Sequence, residues 1–548
     1  MPLASQTSTI KPPDRFVGHA NLMSALTILS RFAGLLRDKV CSYFIGIGNP
    51  VWGAFWMGFQ LPNLFRRLFG EGALTAVFLP IYTRTLENEG QQAASKLASA
   101  TATALILLLG TITIVGELIA IPLALFAQEP NNRLAAAMTA IMLPYCMMVC
   151  LVAFLGAIAS VHERFAQQAI SPIILNIFWA TGAALPVAIF GHTYGIEHRV
   201  YWMAAAILLA GLVQVALMLR PIRQSGIQLH PLIDLRHPGL REIAITILPI
   251  LIGSSAVALN VYLGSQIAWW LSPDGHGGRT SFQFLAFTIN TPMSDGANGI
   301  FSVAQRMYLL PVGIFGASLA TAIFPLMTKA ANTNDIPELK RLIIAGLRKS
   351  LFLSIPASFG MILIAKPLIT LIYFGGKVTP DDIDRATYAT VFYCLGIWAF
   401  EIQMVLLRVF YALRDTRTPM WTALAMVALN LALSLTLVWP LQEGGIALAT
   451  TLIAIIQSAI LLTFLRKRLG FLALRAMIAP IGKSLLATTL MTIVGLLLLQ
   501  IPIPIDSRLT ALIKLPLIVF ACAATYFAMM RLLKSPEIHD LPLLKSKR

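Results

Sequence analysis

The stretch from Ser30 to Arg84, SRFAGLLRDKVCSYFIGIGNPVWGAFWMGFQLPNLFRRLFGEGALTAVFLPIYTR, decides the reading of this chain. Two long apolar runs flank a turn signal at Gly48-Asn49-Pro50, and each is long enough to cross a bilayer as a helix. Yet Arg31, Arg37, Arg66 and Arg67 lie inside them, with Asp38 and Glu71. A central arginine costs roughly 2.5–3.5 kcal/mol on insertion scales, so several together imply a wet, protein-lined interior. Such an interior suits an anion, because the guanidinium is planar, always charged, and grips phosphate oxygens in pairs.

The rest of the chain agrees. Of 548 residues, 57% are hydrophobic and only 12% charged, with a mean hydropathy of +0.77. Soluble domains carry about 25% charge, so this is an all-α polytopic membrane protein. Helices are expected near 20–47, 51–83, 97–127, 134–158, 168–190, 199–220, 241–271, 298–328 and 342–364. They continue with 367–376 joined to 384–412 (a short re-entry, then a helix), 419–440, 446–465, 479–500 and 510–533. That makes about fourteen crossings. The first 18 residues lack an apolar core and a small-residue cleavage site, so no cleaved signal is expected.

The net charge of +17 is largely a topology signal. With both termini cytoplasmic, about 27 of the 41 Lys and Arg fall on that side and about eight on the other. The six left over, Arg31, Arg37, Lys39, Arg66, Arg67 and Arg306, lie within helices. The basic balance therefore does not point to nucleic acid. The five cysteines, Cys41, Cys146, Cys150, Cys394 and Cys522, all lie in apolar spans without a metal-binding pattern and read as packing residues.

An internal repeat organises the fourteen helices. Pro80, Thr83 and Arg84 at the end of the second helix match Pro325, Thr328 and Lys329 at the end of the eighth, all 245 residues apart. A second echo pairs 164–176 (RFAQQAISPIILN) with 417–430 (RTPMWTALAMVALN). Two pseudo-symmetric six-helix lobes plus two C-terminal helices follow, with the lobes as parallel repeats around a central cavity. The divisions are a tail at 1–18, an N-lobe at 19–222, a linker at 223–240, a C-lobe at 241–466, a pair of helices at 467–535 and a tail at 536–548.

Helices 1, 2 and 8 would line the cavity, and they hold the in-helix arginines. Arg31 and Asp38, seven apart, share a helix face, while Arg37 points about 120° away. Arg67 and Glu71 form an i,i+4 pair; Arg66 and Arg306 have no local partner. Pro62, Gly70, Gly72, Pro311, Gly313 and Gly316 mark places where helices 2 and 8 can bend. Asp415 reads as a helix cap, and Asp381, Asp382 and Asp384 as a helix-start signal. Asp274, His276 and Arg279 fall in a polar insertion at 272–297, expected to be an exposed loop.

The quoted stretch also resembles the MurJ/MviN lipid II flippases of the multidrug/oligosaccharidyl-lipid/polysaccharide exporter superfamily. The resemblance is carried by 30–38 (SRFAGLLRD), 61–73 (LPNLFRRLFGEGA) and 78–80 (FLP). Further motifs are 304–306 (AQR), 311–313 (PVG), 374–377 (FGGK), Tyr411-Ala412 and Thr418-Pro419. It is collinear over about residues 20–535. It implies fourteen helices in two lobes around a cationic cavity, with the last two forming a groove for a lipid tail. It implies flipping of lipid II, an undecaprenyl-diphosphate-linked peptidoglycan precursor, from the inner to the outer leaflet of the bacterial inner membrane by alternating access. The family's cavity arginines correspond to Arg31, Arg37, Arg66 and Arg306, and Ser30, Asn63 and Glu71 match further motif positions as substrate-binding candidates. No catalytic residue, metal or cofactor is implied. The drive would be membrane potential or a coupled monovalent ion, and the peptidoglycan synthesis machinery a partner. Three positions depart from the family pattern, because Gly53, Gln305 and Leu309 stand where relatives place acids. Competing readings are a flippase for another lipid-linked oligosaccharide, a membrane phosphotransferase, or a scaffold. The phosphotransferase would need paired carboxylates for magnesium, which these spans lack.

Overall fold

The computed structural model describes residues 14–164, 166–234, 236–284, 287–501 and 508–540. The expected tails at 1–18 and 536–548 therefore lie partly outside the described residues.

Fourteen helical runs fill these segments. α1 is Asp14–Ile45, and α2 spans 50–89, starting at Pro50 behind the Asn49 cap. Gly90 breaks the next run at φ 84°, a left-handed conformation that glycine reaches without strain, and α3 then covers 91–126. α4 (Pro130–Val161), α5 (Ala166–Phe190) and α6 (Ile196–Gln224) complete the first half. α7 (Pro238–Trp270) opens the second. α8 (Ala297–Asn332) and α9 (Ile336–Tyr373) follow. α10 is Pro380–Cys394 plus Ile397–Ala412, bent by 44°. α11 (Arg417–Leu441), α12 (Glu443–Leu469) and α13 (Leu474–Gln500) precede α14, Arg508–Leu532.

By length and composition, ten helices among the described residues can cross a membrane, or eleven counting the bent α10 pair. α1, α2 and α7 complete the fourteen. The charges of α1 and α2 lower their hydropathy without shortening them. One small antiparallel hairpin, β1 (Ser281–Phe284) with β2 (Phe287–Asn290), stands apart from the helices.

The expected re-entry at 367–376 is instead the end of α9. Pro356 and Pro367 sit inside that helix without ending it, as buried packing and neighbouring groups allow in membrane helices. The helix also begins earlier than expected, at the Asp335 cap, whose side chain accepts from the Glu338 N–H at 3.0 Å.

The packing repeats. In the first half α1 lies against α5, α5 against α6, α2 against α4, and α3 against α4. In the second, α7 lies against α11, α11 against α12, α8 against α10, and α9 against α10. The halves meet through α2 with α7 and α8, and through two pairs equivalent under a twofold, α1 with α9 and α3 with α7, where Leu97 lies against Gly239. The 245-residue offset also holds in the backbone. α2 opens into a π-turn at Arg66–Ala73, and α8 does so at Val312–Gly316. Asn298 Nδ2 donates to the Gly53 carbonyl at 3.2 Å, so two equivalent positions touch across the axis. α13 and α14 pack on α9 and on each other. Leu485, Leu490, Ile493, Leu497, Ile513 and Phe520 remain exposed on them, as a lipid-facing surface requires.

Candidate functional site: a cationic cavity between the halves

One end of the molecule carries the α1–α2 turn, and there the halves are pressed together. Lys377 N–H donates to the Tyr43 carbonyl at 3.0 Å, and Lys39 Nζ to the Phe374 carbonyl at 2.5 Å. A Cβ on Gly296 would lie 2.0 Å from the Gly48 carbonyl oxygen, so only glycine permits this approach. Asp274 seals the same end. The expected exposed loop holds for Arg279 but not for Asp274, which is wholly buried. Its carboxylate accepts the Gly296 N–H at 3.0 and 3.2 Å, and a Cβ on Gly53 would meet it at 3.2 Å. An acid contributed by the insertion thus lies against Gly53, one of the three positions at which the family resemblance leads to the expectation of an acid.

Behind this seal lies a cavity of 430 Å³ lined by Arg37, Asn63, Arg66, Arg67 and Arg306, with Trp56, Trp179 and Asn176. A second cavity of 310 Å³ shares Arg37 and Arg306 with the first and adds Arg31 and Asp38. The arginines thus come together from α1, α2 and α8.

Their pairing differs from the helical-wheel expectation. Asp38 partners not Arg31 but Arg37, whose Nε and Nη2 donate to Oδ1 at 2.9 and 2.6 Å. Arg37 is long enough to curl back over its short neighbour, which a count of faces cannot show. The other carboxylate oxygen pairs with Arg306 Nη1, so Arg306 is not unpartnered. This triad joins α1 to α8 and hence one half to the other. The Arg37 guanidinium also lies 4.4 Å from the Trp179 ring centroid and that of Arg306 4.8 Å from Trp56. Such stacking holds the planar cations without neutralising them.

Arg37 Nη1 further donates to Asn176 Oδ1 at 2.9 Å, and Arg66 Nη2 donates to Asn63 Oδ1 at 3.1 Å. Ser30 contributes its carbonyl, which accepts from Asn176 Nδ2 at 3.3 Å. Arg31 is exposed. The Glu71 side chain lies outside the described residues. The bends expected from Pro62, Gly70, Pro311 and Gly313 take the form of the two π-turns, a device common at functional sites. Asn176, Trp56 and Trp179 were not expected at the site. The position of Asn176 at the end of the 164–176 echo was the available signal.

Two repeated six-helix halves closing on a basic cavity define a polytopic membrane transporter. A family model described as "Lipid II flippase MurJ" matches residues 42–504. Relatives named probable lipid II flippase MurJ include one from Rickettsia prowazekii, 28% identical over 86% of this chain and 88% of its own. Another, from Rhizobium meliloti, is 30% identical over 77% and 75%. Among solved structures, "Lipid II flippase MurJ, inward closed conformation" superposes with a TM-score of 0.72 at 20% identity, covering 94% of this chain and 99% of that one. An inward-facing MATE family multidrug transporter gives 0.59 at 12% identity, over 82% and 98%. The last two likenesses show the fold. The chain belongs to the MurJ lipid II flippase family, whose members are named as transporters rather than enzymes.

Proposed function

We infer that this protein flips lipid II between the leaflets of the bacterial inner membrane, both termini being cytoplasmic, and that the cavity arginines hold the diphosphate. The observation that carries the reading is the triad of Arg37, Asp38 and Arg306, which spans both halves and lines the second cavity, two of its members also lining the first. A diphosphate offers several charged oxygens where Asp38 offers two, so it can displace that carboxylate from both guanidiniums. Arg66, beside Asn63, and Arg31 then extend the cationic surface along the cavity.

Because Arg37 and Arg306 belong to different halves, their preference for carboxylate or phosphate reports on how the halves sit. Only such a differential interaction lets a substrate shift a conformational equilibrium. Alternating access follows: the α1–α2 turn end opens while the lipid tail stays in the bilayer along the apolar faces of α13 and α14.

The test is rescue of a strain depleted of its own lipid II flippase, with the wild-type chain beside Arg31→Ala, Arg66→Ala and Arg306→Ala, each checked for membrane level. Rescue by the wild type and loss in well-expressed variants is expected. Rescue by all four would remove the arginines from the mechanism, and no rescue by a well-expressed wild type would point to another lipid-linked substrate.

A further inference from the structure

Behind the α8 π-turn lies a carboxyl group that the cavity does not use. Glu401, in the second segment of α10, is wholly buried. Among the described residues neither of its carboxyl oxygens has a hydrogen-bond partner. It rests against the π-turn itself: a Cβ on Gly316 would lie 3.0 Å from Glu401 Cγ and 3.0 Å from Met404 Sδ. Any larger residue at 316 would push the acid away.

The neighbouring helix supplies polar groups in the same condition. A Cβ on Gly346 of α9 would meet Val405 at 3.3 Å. The two helices run antiparallel, so one turn further along each brings Ser350 level with Glu401. Ser350, Ser354 and Ser358 succeed one another a turn apart on α9, all buried, and none of the three hydroxyls has a partner among the described residues.

Among the described residues no charge balances Glu401 from the helices packed around it. On α8 the cations are Arg306, held by Asp38, and Lys329, both at least ten residues from Gly316 and so about 15 Å or more along the axis. On α9, Arg348 is engaged by Glu537, and Lys349 lies about 100° around the helix from Ser350. On α12, Gln457 is bonded to Gln403 and Ser458 to the Ala399 carbonyl. On α10 itself, Arg408 is stacked over Phe324, 5.4 Å from its centroid. An ionised carboxylate sealed here would cost several kcal/mol, and a neutral one far less.

We propose that Glu401 is a proton-binding site of the transport cycle, protonated while sealed against Gly316 and deprotonated when the α8 π-turn moves and admits water. On release the O–H bond breaks and the proton passes to water as hydronium. On return a hydronium gives it back and the site closes dry. The π-turn that Glu401 supports belongs to the same helix that carries Arg306, so proton occupancy and the posture of the cavity are linked through one element. A sodium ion would need several oxygen ligands converging on it, whereas the Gly316 side of Glu401 presents the Met404 thioether and the serine hydroxyls on α9 are spaced a turn apart along one helix, so the sodium arm of the test below decides between the two ions. The proposal rests on the transport reading above, and its first measurement does not depend on substrate.

That measurement is infrared spectroscopy of the full-length protein in lipid nanodiscs, wild type against Glu401→Gln. The difference spectrum is expected to show the C=O stretch of a protonated carboxyl at neutral pH, unchanged by sodium chloride. No such band, or one that sodium abolishes, overturns the proposal. The second readout is lipid II flipping in proteoliposomes. Glu401→Gln imitates the protonated form permanently, so flipping should fall by about tenfold or more through a shifted conformational equilibrium, with lipid II binding retained. Flipping at the wild-type rate overturns proton coupling. Lost lipid II binding in Arg306→Ala with the band intact would separate the two readings.

Discussion

The two halves bend alike and are charged unlike. α2 and α8 open into π-turns at equivalent places, but that of α2 begins with Arg66 and Arg67, which face the cavity. That of α8 reads Val-Gly-Ile-Phe-Gly and backs onto Glu401. At the 245-residue offset Arg306 corresponds to Leu61, so each half has its own cation at its own depth. The repeat therefore preserves the hinge geometry and lets the chemistry diverge. The N-half holds most of the anion site, and the C-half contributes one arginine to it and a buried acid behind it.

The largest effect is expected at Asp38, where the halves share a charge. Asp38→Ala leaves two guanidiniums from opposite halves facing each other without their carboxylate. Removing one partner of a buried ion pair costs about 3–5 kcal/mol, so a large drop in thermal stability is expected in nanodiscs. Added lipid II or inorganic diphosphate should restore part of it, because phosphate oxygens replace the lost acid. Stability unaltered by the substitution would mean that the triad does not join the halves.

Much of this was legible beforehand, and the failures have physical causes. The spans, the repeat and the gathering of arginines from helices 1, 2 and 8 all follow from periodicity and composition. So do the Asp415 cap, which accepts the Thr418 N–H at 3.0 Å, and the Thr379–Asp382 capping box. The partner of Asp38 was not legible, because α8 reaches it only through the packing of two halves. The burial of Asp274 depends on the bare glycines at 53 and 296, whose value lies in what approaches them. Glu401 escaped notice because a lone acid in an apolar helix carries no spacing pattern. α9 ran through Pro367 because local rules mark a proline as a break, while tertiary packing decides whether it is one.

A smaller effect is expected at the sealed end. Burial, together with nearby Asp295, pushes the Asp274 carboxyl up from 3.8 to about 7; the Gly296 N–H and Arg385 pull less strongly the other way. The folded, sealed form therefore binds this proton more tightly than the opened or unfolded chain. Between roughly pH 4 and pH 7 its stability falls as pH rises, by at most about 1.4 kcal/mol per unit, and the loss is complete above that window. Thermal unfolding followed across this range should show the decline in the wild type and a flatter profile in Asp274→Asn. An unchanged slope in the variant would assign the pH dependence elsewhere.

The smallest effect is expected at the opposite end of the molecule. Arg84 Nη2 pairs with Glu242 at 2.5 Å, joining α2 to α7 across the same boundary that the triad spans. Here the side chains are 57% and 44% exposed, against 25% and 9% for Arg306 and Asp38. Water screens the exposed pair in both the joined and the separated state, and such pairs contribute about 0–1 kcal/mol. Arg84→Ala should therefore leave both the unfolding midpoint and lipid II flipping near wild type. A loss comparable to that of Arg306→Ala would mean that this end is also locked by charge, and that burial is not what makes the triad decisive.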